Sequence, residues 1–263
     1  MEKNKVKIGA DNQSEVTKVW SDSWTETKAN KRSITNRYFI ESYPIFKKFI
    51  PPKIVKILEI ATGTGRYGIS MAKDFPESEV YLTDISEESL DLAKRLAEDM
   101  NIKNVVFKKE DILNLSYDDN SFDLVVNEGI VHMCPDANKA IAEILRVLRP
   151  GGIMITAVAN YWNFHTLYKL FLKIIGKKFE YGYEYHFRRK ELREIVQKNN
   201  FEVIGEDGFY VGYGLYRLKK YYNIFDILGR IVNRTSKILD KYTNRFFTKN
   251  FGFYLVIVGK KKK

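Results

Sequence analysis

Two hydrophobic periods alternate along this chain. Short runs rich in β-branched residues recur at 54–60, 79–84, 105–107, 122–126 and 153–158, and each reads as a buried strand. The stretches between them follow the 3.6-residue period of a helix: 67–75, the helix opened by Ser86 with Leu90, Ala93, Leu96 and Ala97 on its inner face, and 137–148 with Ile141, Ile144, Leu145 and Leu148 inward. Ser86 is an N-cap residue, and Glu87 and Glu88 behind it complement the helix dipole. This β–α alternation predicts an α/β fold, a doubly wound and mostly parallel sheet with right-handed crossovers. Arg149-Pro-Gly-Gly152 reads as a turn, and 251–258 as a closing antiparallel strand.

Three stretches do not fit the alternation. Upstream, 14–50 reads as two short helices, one carrying Val16, Val19, Trp20 and Trp24, the other Ile34, Tyr38, Phe39, Tyr43 and Phe46; Pro51-Pro52 ends them. The segment 161–187 holds Tyr161, Trp162, Phe164, Tyr168, Phe171, Phe179, Tyr181, Tyr183, Tyr185 and Phe187, with Phe164, Leu167, Leu170, Phe171, Ile174 and Ile175 on one helical face among lysines. A second basic amphipathic stretch spans 215–242. Both predict a helical, aromatic cap.

Composition narrows this picture only in part. The 263 residues suffice for a full α/β core, a mean hydropathy of −0.34 predicts a soluble, globular protein, and the use of one cysteine suits a reducing, cytoplasmic setting. The N-terminus lacks the apolar region of a signal peptide. The formal charge of +11 includes Lys260–Lys263, expected as a solvated tail; the remaining excess suits nucleic acid, an anionic membrane surface or an acidic substrate. A single cysteine, Cys134, excludes an internal disulfide and a cysteine-based zinc site. The three histidines look too scattered for a ligand set, so no metal is expected.

The chemistry centres on Leu58-Glu-Ile-Ala-Thr-Gly-Thr-Gly-Arg-Tyr-Gly68. Gly63-x-Gly65-x-x-Gly68 fits the dinucleotide fingerprint, but Ala61-Thr62 intervene after the strand and Glu59 stands at its end. A carboxylate repels a pyrophosphate and suits a cation such as S-adenosylmethionine. The methyl donor, a dinucleotide and a structural turn all stay open on this stretch alone. Four successive strand ends are polar, Glu59, Asp84, Asp111 and Asn127, at the sheet edge where such folds bind ligands. Asp84 follows Gly63 by 21 residues, the distance of a carboxylate that accepts from ribose hydroxyls.

With Tyr81-Leu-Thr-Asp84, Lys109-Glu-Asp-Ile112, Ser121-Phe-Asp-Leu-Val-Val126 and Leu145-Arg-Val-Leu-Arg-Pro-Gly-Gly152 added, the chain resembles the class I S-adenosylmethionine-dependent methyltransferases, specifically the broad small-molecule type 11 group. The likeness covers 54–158 and returns near 186–205. It implies a seven-stranded Rossmann-like methyltransferase fold with helical cap insertions. The parts would be an N-terminal arm (1–50), a donor-binding core (51–160), an aromatic cap (161–187), and completion of the core (188–263) with a helical insertion at 211–247 and the last strand at 251–258. It implies S-adenosyl-L-methionine as cofactor, with the turn from Glu59 through Ala61, Gly63 and Gly65 under its methionine part. Asp84 with Ile85 would hold the ribose, Asp111 with Ile112 the adenine, and Asn127 would lie beside the amino group or sulfonium. Ala61 departs from the glycine usual there.

Methyl transfer is an in-line displacement governed by alignment, and a base is needed only if the acceptor loses a proton. His132, near the fourth strand end, and His186 are the catalytic candidates, with His165 and Glu128 behind them. The cap predicts a small hydrophobic or lipid-like acceptor and contact with a membrane surface. An RNA or protein methyltransferase and a donor-binding sensor without turnover are the alternatives. Nucleic acid is not expected: Asn127-Glu-Gly-Ile130 is not the Asn/Asp-Pro-Pro-aromatic motif of amine methylation, and Cys134 lies past the motif for pyrimidine chemistry. The oligomeric state is open.

Overall fold

The computed structural model describes residues 32–177, 184–219 and 222–263. The expected helix around Val16–Trp24 and the cap residues Phe179, Tyr181 and Tyr183 lie outside them.

Seven strands form one sheet: β1 (Lys56–Ile60), β2 (Glu79–Asp84), β3 (Val105–Lys109), β4 (Phe122–Glu128), β5 (Leu148–Ala159), β6 (Phe201–Phe209) and β7 (Tyr254–Lys261). Their order is β3-β2-β1-β4-β5-β7-β6. All neighbours pair in parallel except β7, which runs antiparallel to both β5 and β6. The order reverses between β1 and β4, so the switch-point crevice opens at their carboxyl ends.

Side-chain alternation along the strands builds two cores. On one face Ile57, Val80, Leu82, Leu124 and Val126 meet α2 (Arg37–Lys47), which follows the single turn α1 (Arg32–Thr35), and then α3 (Arg66–Asp74) and α4 (Glu87–Asp99). On the other face Leu58, Ile60, Val125 and Met154 meet α5 (Ala137–Val147) and α7 (Arg189–Lys198). Between these last two lies α6 (Phe164–Ile174); α8 (Tyr213–Leu218), α9 (Ile224–Asp240) and α10 (Phe246–Phe251) separate β6 from β7. Ser86 caps α4 as expected, its hydroxyl accepting from Ser89 N at 3.2 Å.

The start of α6 is clamped to the body. Asn160 Nδ2 donates to the Asn250 and Gly252 carbonyls, and Asn163 Nδ2 to those of Val211 and Phe251. α8 packs against both α6 and α9; a Cβ on Gly212 would stand 2.1 Å from the Gly229 carbonyl, so that approach requires glycine.

Two readings change. Arg149–Gly152 is not a turn between elements but part of β5: register passes from Phe122–Leu148 to Leu124–Ile153, so the extra residues form a bulge, with Gly151 at φ +80°. The basic C-terminus is not a loose tail through Lys261. β7 runs to that residue rather than to 258, and its ammonium donates to the Leu145 and Leu148 carbonyls at 2.8 and 2.6 Å, where the end of α5 leaves acceptors unfilled.

Candidate functional site

A cavity of about 370 Å³ lies at the carboxyl ends of β1, β2 and β4. Glu59, Ala61, Gly63, Asp84, Ile85, Asp111, Ile112 and His132 are on its wall. Gly65 is not: it opens α3 at φ +76° and packs on Ala93. Ala61 takes the left-handed conformation (φ +57°) that the usual glycine accepts freely.

The glycine turn is held from both sides by carboxylates. Glu59, 3% exposed, accepts from Thr62 Oγ1 at 2.5 Å and from Gly68 N at 2.9 Å. Gly68 permits this, because a Cβ there would lie 2.5 Å from Glu59 Oε2. Asp84 accepts from Gly63 N (3.0 Å), Ser86 N (3.0 Å) and Ser89 Oγ (2.7 Å). It therefore fixes the turn itself, a task the sequence reading did not give it.

Asn127 does not reach the cavity. It is fully buried between β1 and β5, donating to Thr156 Oγ1 at 3.0 Å, with Oδ1 lacking a partner among the described residues. Strand parity is the cause: Glu128, one residue on, shares the face of Leu124 and Val126 and meets the cavity instead. Glu128 accepts from Tyr38 Oη and Arg66 Nη2, both at 2.7 Å. Two donors on its oxygens make it an anchor rather than a base. Tyr38 and Arg66, to which the sequence reading gave no role in the site, line the cavity with Tyr213, Phe253 and Tyr254.

The histidines are not scattered. All three converge on Glu184, whose side chain is 6% exposed: His132 Nε2 is 3.4 Å from Oε1, and His165 Nε2 and His186 Nε2 are 3.2 and 3.3 Å from Oε2. Burial would raise the Glu184 pKa; hydrogen bonds from the three imidazoles outweigh it and hold the carboxyl well below the usual range. Nδ1 of His132 has no partner among the described residues. With Nε2–H committed to Glu184, that nitrogen is the ring's acceptor. His186 is not on the cavity wall; it lines a separate cleft, and burial pushes its pKa down to about 4.

His165, Glu184 and His186 bring ligand atoms within 4.8 Å of one another, a spacing a metal ion could use. Lys169, however, sets its ammonium 3.5 Å from Glu184 Oε2 and 3.4 Å from His186 Nε2, so a cation already faces the group. Cys134 is on the cavity wall, but burial pushes its thiol up to about 12, out of nucleophilic range near neutrality.

The acceptor side differs from the expected cap. Of 161–187, only Glu184 lines the main cavity among the described residues. Tyr161 and Tyr185 line the second cleft, and Trp162 and Phe171 face outward. Leu167, Leu170, Phe171 and Ile174, the apolar face of α6, are each more than half exposed.

A family model for a methyltransferase domain matches residues 53–225. The chain belongs to the class I S-adenosylmethionine-dependent methyltransferases. A Staphylococcus aureus demethylmenaquinone methyltransferase is 32% identical over 163 residues, which are 59% of this chain and 64% of that one, so the match spans less than two thirds of the relative. In fold, a methyltransferase from Thermotoga maritima superposes with a TM-score of 0.62 at 18% identity, over 93% of this chain and 99% of the other. Haemonchus contortus phosphoethanolamine N-methyltransferase 2, solved with S-adenosyl-L-methionine, gives 0.62 at 18% identity, over 93% of this chain and 60% of that one.

The methyltransferase cofactor, S-adenosyl-L-methionine, suits the donor set. It is cationic at its reactive end, and the cavity wall carries the carboxylates of Glu59, Asp84 and Asp111. Burial pushes Glu59 up to about 7, against the hydrogen bonds from Thr62 and Gly68. A cation bound beside it favours the ionised form and lowers that pKa. Binding at pH 7 should therefore release up to about half a proton, rising toward one at lower pH, and affinity should fall roughly tenfold per pH unit below pH 7. Calorimetry in buffers of different ionisation enthalpy measures the release; equal heats in every buffer at pH 7 would contradict it.

Proposed function

We propose that this methyltransferase transfers the methyl group to a hydrophobic, lipid-like acceptor that it meets at an anionic membrane surface. The observation that carries the reading is the make-up of the cavity around His132. Tyr38, Tyr213, Phe253 and Tyr254 supply an aromatic wall, with Ile130 and Met133, and the polar groups among them are Asn36, Arg66, Glu128, His132 and Glu184. Such a wall suits an apolar ligand oriented by few polar contacts. The similarity to a demethylmenaquinone methyltransferase points the same way.

When bound, S-adenosylmethionine supplies an electrophilic methyl on a sulfonium. Asp84 and Asp111 would hold its ribose and adenine, and Glu59 its cationic end. The aromatic side chains would exclude water and align the acceptor for in-line attack. His132 would take the acceptor's proton on Nδ1, its ring oriented through Nε2–H by Glu184. No metal takes part in this scheme, since Lys169 is the cation at Glu184.

The membrane part rests on the outward faces of neighbouring helices. Besides α6, Ile224, Ile227 and Ile231 of α9 are each more than half exposed. Lys173 and Lys177 follow on α6 and its end without any acidic residue between 164 and 177, and Arg234, Lys237 and Lys241 accompany α9. Apolar faces rimmed by cations bind anionic bilayers. Among the described residues no helix is long and apolar enough to cross a membrane.

Reduced demethylmenaquinone offered in phosphatidylglycerol vesicles should be methylated, and the protein should sediment with those vesicles at low salt and leave them at high salt. Leu170→Glu with Ile174→Glu should abolish sedimentation while sparing donor binding. Turnover only on RNA, peptides or polar metabolites would overturn the acceptor class. Unchanged sedimentation of the double variant would overturn the surface.

A further inference from the structure

Three imidazoles around one carboxylate are more than a general base needs. A ring oriented by a carboxylate takes two groups, His132 and Glu184. His165 and His186 have no task in the transfer itself, yet they are 1% and 9% exposed and share one carboxylate oxygen, Glu184 Oε2, while His132 takes Oε1. Imidazole nitrogen and carboxylate oxygen are ligands of zinc.

The spacing of these outer atoms is that of a coordination shell. Zinc bonds of about 2.0–2.2 Å at tetrahedral angles set neighbouring ligand atoms roughly 3.3–3.6 Å apart. Glu184 Oε2 lies 3.2 Å from His165 Nε2 and 3.3 Å from His186 Nε2, and all three atoms fall within 4.8 Å of one another. Coordination through Nε2 places a ring's proton on Nδ1, whichever tautomer the free ring holds. For His186 that proton has an acceptor, Thr166 Oγ1 at 2.5 Å, the outer contact that orients a ligating histidine.

The competitor is Lys169. Its ammonium lies 3.5 Å from Glu184 Oε2 and 3.4 Å from His186 Nε2, and it donates to the Glu184 carbonyl at 2.6 Å. A divalent ion on the three ligand atoms and an ammonium this close repel each other, so one cation excludes the other. Both have a way to solvent. Lys169, Glu184 and His186 all line the second cleft, along which Lys173, Lys190 and Glu194 are exposed. The Lys169 side chain is 21% exposed on a flexible stem, so it can turn into the cleft as the ion enters.

We propose that His165, Glu184 and His186 form an inhibitory zinc site, filled by Zn²⁺ in exchange for the Lys169 ammonium. Water completes the tetrahedron. The site takes no part in methyl transfer, which runs with Lys169 in place. Zn²⁺ on Oε2 draws the carboxylate's charge away from Oε1, and His132 loses the partner that stabilises its protonated form. Turnover falls and returns when a chelator removes the ion. The inhibition rests on the proposed role of His132 as base; the binding of the ion does not.

The test reads binding and turnover separately. Zn²⁺ alone, titrated into the full chain against a chromophoric chelator, should bind one ion per chain, and Co²⁺ should give the visible absorption of a four-coordinate ion. His165→Gln and His186→Gln should each weaken Zn²⁺ at least about 100-fold. Lys169→Met removes the competing charge and should tighten Zn²⁺ at least about tenfold; it serves where the histidine variants do not fold. With reduced demethylmenaquinone in detergent, saturating Zn²⁺ should lower wild-type kcat at least about tenfold, and EDTA should restore it. Absence of a stoichiometric ion, unchanged binding in both histidine variants, or no tightening in Lys169→Met overturns the site. A bound ion with unchanged kcat overturns the inhibition. Wild-type kcat in metal-free His132→Asn, or no methylation of this acceptor by wild type, instead overturns the reading beneath it.

Discussion

Asp84→Asn is expected to weaken S-adenosylmethionine binding by at least about 100-fold. Charge-assisted hydrogen bonds contribute roughly 1.5–3 kcal/mol each, and loss of two corresponds to about two to four powers of ten in affinity. The structure adds a second source to that loss. Asp84 also accepts from Gly63 N, Ser86 N and Ser89 Oγ, so the amide would meet donors with a donor and loosen the turn beneath the ligand. Ser89→Ala separates the two: it removes one support of the turn, keeps the carboxylate, and should cost less than about tenfold. Titration calorimetry of the three proteins decides. Affinity near wild type in Asp84→Asn would show that the ligand is held elsewhere.

The second large effect is on turnover. His132→Asn should lower kcat by about 10²–10⁴, the usual worth of a positioned general base, while donor affinity stays within a few-fold. The basis is the committed ring: Nε2 faces Glu184 at 3.4 Å, and Nδ1 lacks a partner among the described residues. Wild-type kcat in this variant would mean that the acceptor reacts already deprotonated or needs no proton loss. A large fall in donor affinity with unchanged kcat would make His132 a wall residue only.

Much of the scaffold was legible in the chain. Parallel strands buried on both faces need continuous apolar runs, and Leu58, Val80, Leu82 and Val125 supply them. Glycine spacing and Glu59 marked the cavity because a close backbone approach leaves few residue choices, as Gly68 against Glu59 demonstrates. Where sequence reasoning failed, the missing information was tertiary. A Pro-Gly-Gly string signals a turn and a bulge equally, and only pairing with β4 decides between them. At the end of β4 a one-residue parity sets whether Asn127 or Glu128 meets the ligand.

The same limit governed the histidines and the cap. Thirty-three residues separate His132 from His165 and twenty-one separate His165 from His186 by their numbers, and nothing local announces that they share a carboxylate. The one available signal was an acid set among aromatic residues, and Glu180 and Glu184 both answer to it, so the sequence alone did not single out Glu184. For α6 the helical period located the apolar face but not its direction. Leu167 and Ile174 turn away from the sheet, and the aromatic wall comes instead from α2, α8 and the start of β7.

The account stands most directly on where a labelled methyl group goes. The protein would be incubated with methyl-labelled S-adenosylmethionine and a whole-cell extract containing membranes, RNA and protein, then partitioned between organic solvent and water. The expected result is label in the organic phase, equal in amount to the S-adenosylhomocysteine formed, and absent with His132→Asn. Label confined to RNA, protein or the aqueous phase, or donor bound without any S-adenosylhomocysteine, would contradict it.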